Sequence, residues 1–183
     1  MKKHVCAFLT ITFLALGMSH AIDFKGVKFD DSVKVGASTL KLNGIGIRKF
    51  LVLHVYYAAL YTAEPTSDAQ AIINSKTPKQ LIMHFKRWVE KSKILDAWEE
   101  GLSKNREEGY DFQPDFKKLK DIMGHMNEND RMILTFYADS VEVKAKDKDL
   151  KIESGNFSKA LLKVFINNAP DPDLKKGLLT LPK

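Results

Sequence analysis

One long apolar run limits the folds that this chain can adopt. Residues 50–61, Phe-Leu-Val-Leu-His-Val-Tyr-Tyr-Ala-Ala-Leu-Tyr, carry no charge on either alternating face. Their β-branched and aromatic content favours a strand over a buried helix. Because a strand with two apolar faces is covered on both sides, we expect one strand buried between two layers. Two glycines, Gly44 and Gly46, and an arginine, Arg48, directly precede the run.

Shorter patterns on either side of the run predict an α+β domain. Alternating residues predict short strands within 22–35 and at 39–42, with a turn at Asn43-Gly44. Further strands are predicted at 79–89, 131–137, 140–145 and 150–152. Helical spacing, caps and prolines predict helices at 69–74, 91–105, from 114 onward, at 157–167 and at 173–179. Because strands and helices cluster in sequence, we expect a large antiparallel sheet with a layer of helices on one side.

The N-terminus has the pattern of a secretory signal peptide. Lys2 and Lys3 precede a mostly apolar stretch, and Ser19 and Ala21 supply the small residues of a cleavage site. The stretch is shorter than the ~20 residues that span a bilayer, so a membrane anchor is the less favoured alternative. We therefore expect residues 1–21 to be removed and residues 22–183 to form one domain. That domain would be periplasmic or secreted, with no integral membrane segment.

Removal of the signal peptide leaves a mildly basic chain without cysteine. Of 29 Lys and Arg residues, 27 remain against 23 Asp and Glu, a net charge of +4. The cations are interspersed with acids, which is typical of a solvated surface and not of a nucleic-acid site. The one cysteine, Cys6, lies in the signal peptide. A disulfide and a thiolate metal site are therefore excluded from the mature protein.

The sequence offers little for a catalytic centre. His54, His84 and His125 have no partner at metal-ligand spacing, so we predict no metal and no cofactor. No Gly-x-Ser-x-Gly motif of a serine hydrolase occurs. Residues 44–48 resemble half of a dinucleotide fingerprint, but they lack its third glycine and its helix.

Arg48 and Tyr56 form the most informative pair. If the chain turns or bulges near residues 49–50, Tyr56 would present its hydroxyl near the Arg48 guanidinium. An arginine and a phenol beside an apolar chamber suit a ligand with a carboxylate head and an apolar body, because the guanidinium can bind a carboxylate with two hydrogen bonds. Alternatively, Arg48 is structural and pairs with a carboxylate such as Asp96 or Glu99, while Tyr56 only packs. The chemistry of the residues leaves both readings open.

Four segments together resemble the chalcone isomerase-like family. They are Leu-Asn-Gly-Ile-Gly-Ile-Arg at 42–48, Val-Tyr-Tyr-Ala-Ala-Leu-Tyr at 55–61, Ala-Trp-Glu-Glu-Gly-Leu at 97–102 and Gly-Asn-Phe-Ser-Lys-Ala-Leu-Leu at 155–162. The resemblance covers most of the mature chain and is closest to bacterial members. It implies an open-faced β-sandwich, with a large antiparallel sheet and helices on one side. The family includes plant chalcone isomerases, plastid fatty-acid-binding proteins and members without known activity.

The resemblance also assigns expected roles to residues. Arg48 matches the arginine that stabilises negative charge in the isomerases. Tyr56 matches a position that is threonine in the isomerases and tyrosine in the fatty-acid binders, where it helps to hold the carboxylate; Tyr61 is the second candidate for this role. The isomerases also use a tyrosine and an asparagine in the helix after the next strand, and residues 91–100 contain neither.

Three functions follow as hypotheses. The first is an exported, non-catalytic protein that binds a fatty acid or similar amphipathic carboxylate through Arg48 and Tyr56. The second is an isomerase or lyase of unknown substrate in which Arg48 stabilises an oxyanion. The third is a structural protein without ligand, which a closed pocket or an Arg48 sealed by an internal carboxylate would favour.

Overall fold

The computed structural model describes residues 20–169 and 171–182, so most of the predicted signal peptide lies outside the described residues. The strands are β1 (Ala21–Phe24), β2 (Val27–Asp30), β3 (Ser32–Val35), β4 (Ser38–Phe50), β5 (Leu53–Thr62), β6 (Lys79–Phe85), β7 (Arg131–Phe136), β8 (Val141–Ala145) and β9 (Lys148–Ile152). The helices are α1 (Ala69–Asn74), α2 (Lys91–Asn105), α3 (Gln113–Ile122), α4 (Gly155–Ile166) and α5 (Pro172–Leu178).

The main sheet is a seven-stranded antiparallel meander in the order β3-β4-β5-β6-β7-β8-β9. Its two faces bury separate cores. One face carries Tyr56, Ala58 and Leu60 and packs against the helices. The other carries Tyr57, Ala59 and Tyr61 and packs against the β1–β2 hairpin. The predicted α+β fold, an antiparallel sheet with its helices on one side, is confirmed.

The prediction of one covered strand across residues 50–61 is wrong in its first four residues. β4 ends at Phe50 and β5 begins at Leu53, so the chain reverses direction at Leu51 and Val52. Both turn residues are exposed, and Leu51 has a φ of 55°, in the left-handed region. His54 and Val55 are half-buried, and the run from Tyr56 to Tyr61 is buried as expected.

The predicted turn at Asn43-Gly44 is also wrong, because β4 continues through these residues with an irregularity in its pairing to β5. The Asn43 side chain is buried and links two distant segments by hydrogen bonds. Its Nδ2 donates to the Leu178 carbonyl at 2.8 Å, and its Oδ1 accepts from the Thr66 amide at 2.7 Å. The side chain therefore satisfies backbone groups of two other segments instead of forming a turn.

Gly44 and Gly46 allow α5 to lie directly on β4. A Cβ at Gly44 would collide with the carbonyl oxygen of Gly177, and one at Gly46 with that of Leu174. Gly177 in turn faces the backbone of Ile45. The glycines therefore have a packing role, and this close approach brings the start of α5 next to Arg48.

The predicted strand at 79–89 is shorter than expected, because β6 ends at Phe85. The helix predictions are close to the observed bounds, and Asp68 caps α1 by accepting from the amides of Gln70 and Ala71. Within the described residues, no helix is both long enough and apolar enough to cross a bilayer.

Candidate functional site

A cavity of about 460 Å³ lies between the helical face of the sheet and helices α2 and α4. Its lining includes exposed residues, such as Phe50 and Trp88, and fully buried ones, such as Met83 and Phe85. It consists of Arg48, Phe50, Val55, Tyr56, Met83, Phe85, Arg87, Trp88, Val89, Glu90, Lys93, Ile94, Ala97, Trp98, Val164 and Phe165. Small-molecule sites typically measure about 300–1,000 Å³ and are lined mostly by apolar groups, so this cavity has the size and character of a ligand site.

Arg48 and Tyr56 are directly opposite each other on β4 and β5, and both line the cavity. The pairing shifts by one residue immediately after them, where Lys49 faces His54. Opposed residues of an antiparallel pair present their side chains on the same face. The bulge that the sequence argument considered near residues 49–50 is present, and the chain reverses direction just after it, at Leu51 and Val52.

Arg48 is held in place through one of its three nitrogens. Nη1 donates to the Lys49 carbonyl at 2.5 Å and lies 3.5 Å from Oδ2 of Asp171. The structure gives Nε and Nη2 no hydrogen bond to residues 20–169 or 171–182. The side chain is 22% exposed, so the guanidinium is positioned by the protein but retains donors for a ligand.

The carboxylate beside Arg48 is Asp171, and neither Asp96 nor Glu99, the partners considered from sequence, pairs with it. Glu99 instead accepts from Lys120 and Gln113. Asp171 has closer partners than Arg48, because Oδ2 accepts from the Lys49 amide at 2.6 Å and Oδ1 from the Asp173 amide at 2.9 Å. The Arg48–Asp171 contact supports a structural role for Arg48. The Asp171 carboxylate does not depend on Arg48, however, because the backbone amides of Lys49 and Asp173 already bind it.

Tyr56 is a buried phenol whose hydroxyl has no hydrogen bond to any described residue. Its ring packs on Phe85 with centroids 5.5 Å apart. Burial raises the pKa of the phenol, and the nearby Arg48 guanidinium opposes that rise. The group therefore stays neutral at physiological pH and can donate a hydrogen bond into the cavity.

Tyr61, the second candidate partner of Arg48, lies on the opposite face of the sheet. Its side chain is fully buried in the core beneath the β1–β2 hairpin, and its hydroxyl donates to the Asp30 carbonyl at 2.9 Å. Side chains along a strand alternate between the two faces of the sheet. Tyr56 and Tyr61 are an odd number of residues apart on β5, so they lie on opposite faces. The structure brings Tyr56, and not Tyr61, together with Arg48.

The described residues contain no group of three His, Cys, Asp or Glu side chains arranged to hold a metal ion. His54 hydrogen-bonds the Tyr57 hydroxyl at 2.9 Å, on the other face of the sheet from Tyr56.

The family model described as chalcone isomerase-like matches residues 21–180. The chain belongs to the chalcone isomerase-like family. A crystal structure of a fatty-acid binding protein of Arabidopsis thaliana has the same fold, with a TM-score of 0.69 and 15% sequence identity; the match covers 87% of this chain and 96% of that one. No curated protein matches the sequence.

Helix α2 forms the cavity wall at the place where the resemblance to the isomerases implies a catalytic tyrosine and asparagine. In this family member, the wall consists of Lys93, Ile94, Ala97 and Trp98. Trp98 packs edge-on against Phe165 of α4, with ring centroids 6.0 Å apart. This helix therefore contributes apolar surface and one cation to the cavity.

Sequence reasoning missed the charged residues at the exposed end of the cavity. Arg87 and Lys93 line it together with Glu90, so cations outnumber acids there. No described carboxylate lies within ion-pair distance of Arg87 or Lys93. The Lys-Arg-Trp sequence at 86–88, directly after an apolar strand, was the available signal, but the prediction that the strand continued to Val89 obscured it.

Proposed function

We propose that this protein binds a fatty acid or a similar amphipathic carboxylate, with the head group held by Arg48 and Tyr56. One observation carries the proposal: a largely apolar cavity has, in its wall, a guanidinium with two unengaged nitrogens and a buried phenol without a hydrogen bond among the described residues. Both groups border the cavity, so a carboxylate inside it would meet one charged donor and one neutral donor. A carboxylate would satisfy both donors.

The energetics favour an amphipathic ligand over a small acid. Each methylene buried against the apolar walls contributes about 0.8 kcal/mol. A hydrogen bond to a charged group contributes about 1.5–3 kcal/mol, so the tail of a long-chain acid would provide most of the affinity and the head group its orientation. The Arabidopsis fatty-acid binding protein with the same fold supports a ligand of this class.

We further propose that the protein is exported and that it acts without catalysis. The signal-peptide pattern of residues 1–21 supports export. The α2 wall is mostly aliphatic and indole, with Lys93 as its one cation, and this composition supports binding over isomerisation. N-terminal sequencing of the mature protein would test export, with Ile22 as the expected first residue.

Competitive displacement of a fluorescent fatty acid tests the binding proposal. Dodecanoate is expected to displace it at lower concentration than dodecanol, which has the same tail without the charge. Native mass spectrometry of protein purified from its own source should show a co-purified lipid. Equal displacement by the acid and the alcohol would contradict the assignment of the head-group site, and turnover of an enone substrate that depends on Arg48 would favour the isomerase alternative.

A further inference from the structure

The exposed apolar residues of this protein are concentrated at one end of the sheet. Six large apolar side chains are exposed in the described residues, and five of them form what we call the tip patch: Phe50, Leu51, Val52, Leu53 and Trp88. Leu51 and Val52 are 82% and 88% exposed, and Trp88 is 59% exposed. Contiguous exposed apolar surface of this kind usually marks an interaction site.

The sheet register places the two parts of the tip patch side by side. The β4–β5 turn supplies residues 50–53, and the segment after β6 supplies Trp88. Tyr56 pairs with Phe85, and the Lys86 amide donates to the Val55 carbonyl at 2.9 Å, so the chain beyond β6 runs along the start of β5. Phe50 and Trp88 also line the cavity, so the tip patch borders its exposed end.

Cations surround the tip patch. Lys49 precedes it, Lys86 and Arg87 directly precede Trp88, and Lys93 follows on α2. Lys49 pairs with Asp173 at 2.6 Å, whereas the structure gives Lys86, Arg87 and Lys93 no ion pair with any described residue. Glu90 is the acid among the cavity-lining residues at this end. The surface around the apolar tip is therefore positive.

The backbone conformation at the tip also indicates that the exposed side chains take part in an interaction. Leu51 has a φ of 55°, where asparagine or glycine would be accommodated with less strain than leucine. The turn therefore exposes a leucine in a conformation that disfavours it.

We propose that the tip patch docks on a lipid bilayer that contains anionic lipids. The apolar side chains at the turn would enter the interface, Trp88 would lie at the headgroup level and the surrounding cations would contact anionic headgroups. A stable protein interface typically uses about 20–30 residues on each side, whereas the tip patch is a small, projecting turn with one indole. The positive rim selects an anionic lipid surface over a neutral one.

Docking in this way would place the exposed end of the cavity against the bilayer. Phe50 and Trp88 belong to both the tip patch and the cavity lining, but Leu51 and Val52 do not line the cavity, so variants of these two residues test docking separately from ligand binding. Failure of fatty-acid binding would therefore leave the bilayer proposal standing, and the reverse also holds.

Vesicle flotation with the mature protein tests the proposal. Vesicles of phosphatidylcholine mixed with phosphatidylglycerol should bind the protein, and vesicles of phosphatidylcholine alone should bind it at least about tenfold more weakly. The double variant Leu51→Asn and Val52→Thr should reduce binding to the anionic vesicles by about tenfold or more, because it removes apolar surface that enters the interface. Leu181→Asn is the matched control, since Leu181 is the sixth exposed apolar side chain and lies outside the tip patch.

Tryptophan fluorescence provides a second readout. Brominated lipids should quench the emission of Trp88 in bound protein, and Trp88→Phe should abolish most of that quenching, because the other tryptophan, Trp98, is buried. The double variant should retain its fatty-acid affinity and fold at least as stably as the parent.

Three results would overturn the proposal. The first is no binding to anionic vesicles. The second is equal binding by the parent and the double variant. The third is self-association of the free protein that the double variant abolishes, which would assign the tip patch to a second copy of the chain.

Discussion

Replacement of Arg48 by glutamine separates a ligand-holding arginine from a structural one. Glutamine keeps a polar side chain, two bonds shorter than arginine, and removes the charge and the paired donors. In the parent, Nη1 is engaged by the Lys49 carbonyl and lies 3.5 Å from Asp171, so the carboxylate already offsets part of the charge. We therefore expect the loss in dodecanoate affinity to lie in the lower part of the range for charged hydrogen bonds, about 1.5–2 kcal/mol, or roughly 12- to 30-fold.

The alcohol provides the control that isolates the head group. Dodecanol has the same tail, so Arg48→Gln should change its affinity by less than about twofold. Asp171→Asn provides the opposite perturbation, because it removes the negative charge that competes for the guanidinium, and it should tighten dodecanoate binding. Asparagine retains one acceptor for the amides of Lys49 and Asp173, so we expect a loss of stability of about 1 kcal/mol.

Displacement titrations with both ligands on the three proteins provide the assay, with chemical denaturation of each protein to confirm folding. The reasoning is refuted if Arg48→Gln leaves dodecanoate affinity unchanged while it lowers the free energy of unfolding. That result would make Arg48 a purely structural partner of Asp171. A parallel loss of dodecanoate and dodecanol affinity would show that the substitution altered the cavity and not the head-group contact.

Three further predictions address the phenols, the glycines and one buried lysine. Tyr56→Phe should weaken dodecanoate binding by about 0.5–1.5 kcal/mol with little change in stability. Tyr61→Phe should instead lower stability by a similar amount and leave binding unchanged, because the Tyr61 hydroxyl donates to the Asp30 backbone carbonyl. Gly46→Ala should lower the free energy of unfolding by about 1–3 kcal/mol or prevent folding, because the new Cβ would collide with the Leu174 carbonyl. Gly124→Ala is the control and should have little effect, because the space around Gly124 is open. Burial lowers the pKa of Lys79 from 10.5 to about 8, so between these values the unfolded chain holds a proton that the folded protein lacks and stability should rise with pH. Lys79→Met should remove that rise, and urea denaturation from pH 7 to 10 would show whether it does; the substitution also removes the hydrogen bond that Lys79 Nζ donates to the Ser75 carbonyl.

Local periodicity predicted most of the secondary structure. Helices such as α2 carry apolar residues at helical spacing, and the strands from β7 to β9 are separated by charged turns, so the order of elements and the α+β class followed from the sequence. These signals depend on residues close in sequence, which explains why they were sufficient for the elements themselves.

The β4–β5 turn was missed because its residues give no turn signal. Leu51 and Val52 are apolar and continue the pattern of a strand, whereas turns with a left-handed residue usually contain glycine or asparagine. The opposite error occurred at Asn43-Gly44, where residues typical of a turn lie inside β4. Hydrogen bonds to distant segments account for Asn43 inside a strand, and the proposed bilayer contact would account for leucine and valine at the turn.

Half of the candidate site was accessible from sequence. Arg48 and Tyr56 are close in the chain, so a bulge near residue 49 was enough to bring them together. Asp171 lies 122 residues from its partner Lys49, and its position depends on the packing of α5 against Gly44 and Gly46. No local pattern indicates such a contact, and the sequence argument therefore considered acids on α2 instead.

A crystal structure of the mature protein with dodecanoate tests the central claim most directly. The account predicts that the carboxylate lies within hydrogen-bond distance of the Arg48 guanidinium and the Tyr56 hydroxyl, with the tail among the apolar side chains between the sheet and α2. Dodecanoate bound with its carboxylate away from Arg48, or a cavity that stays empty at saturating dodecanoate, would contradict it.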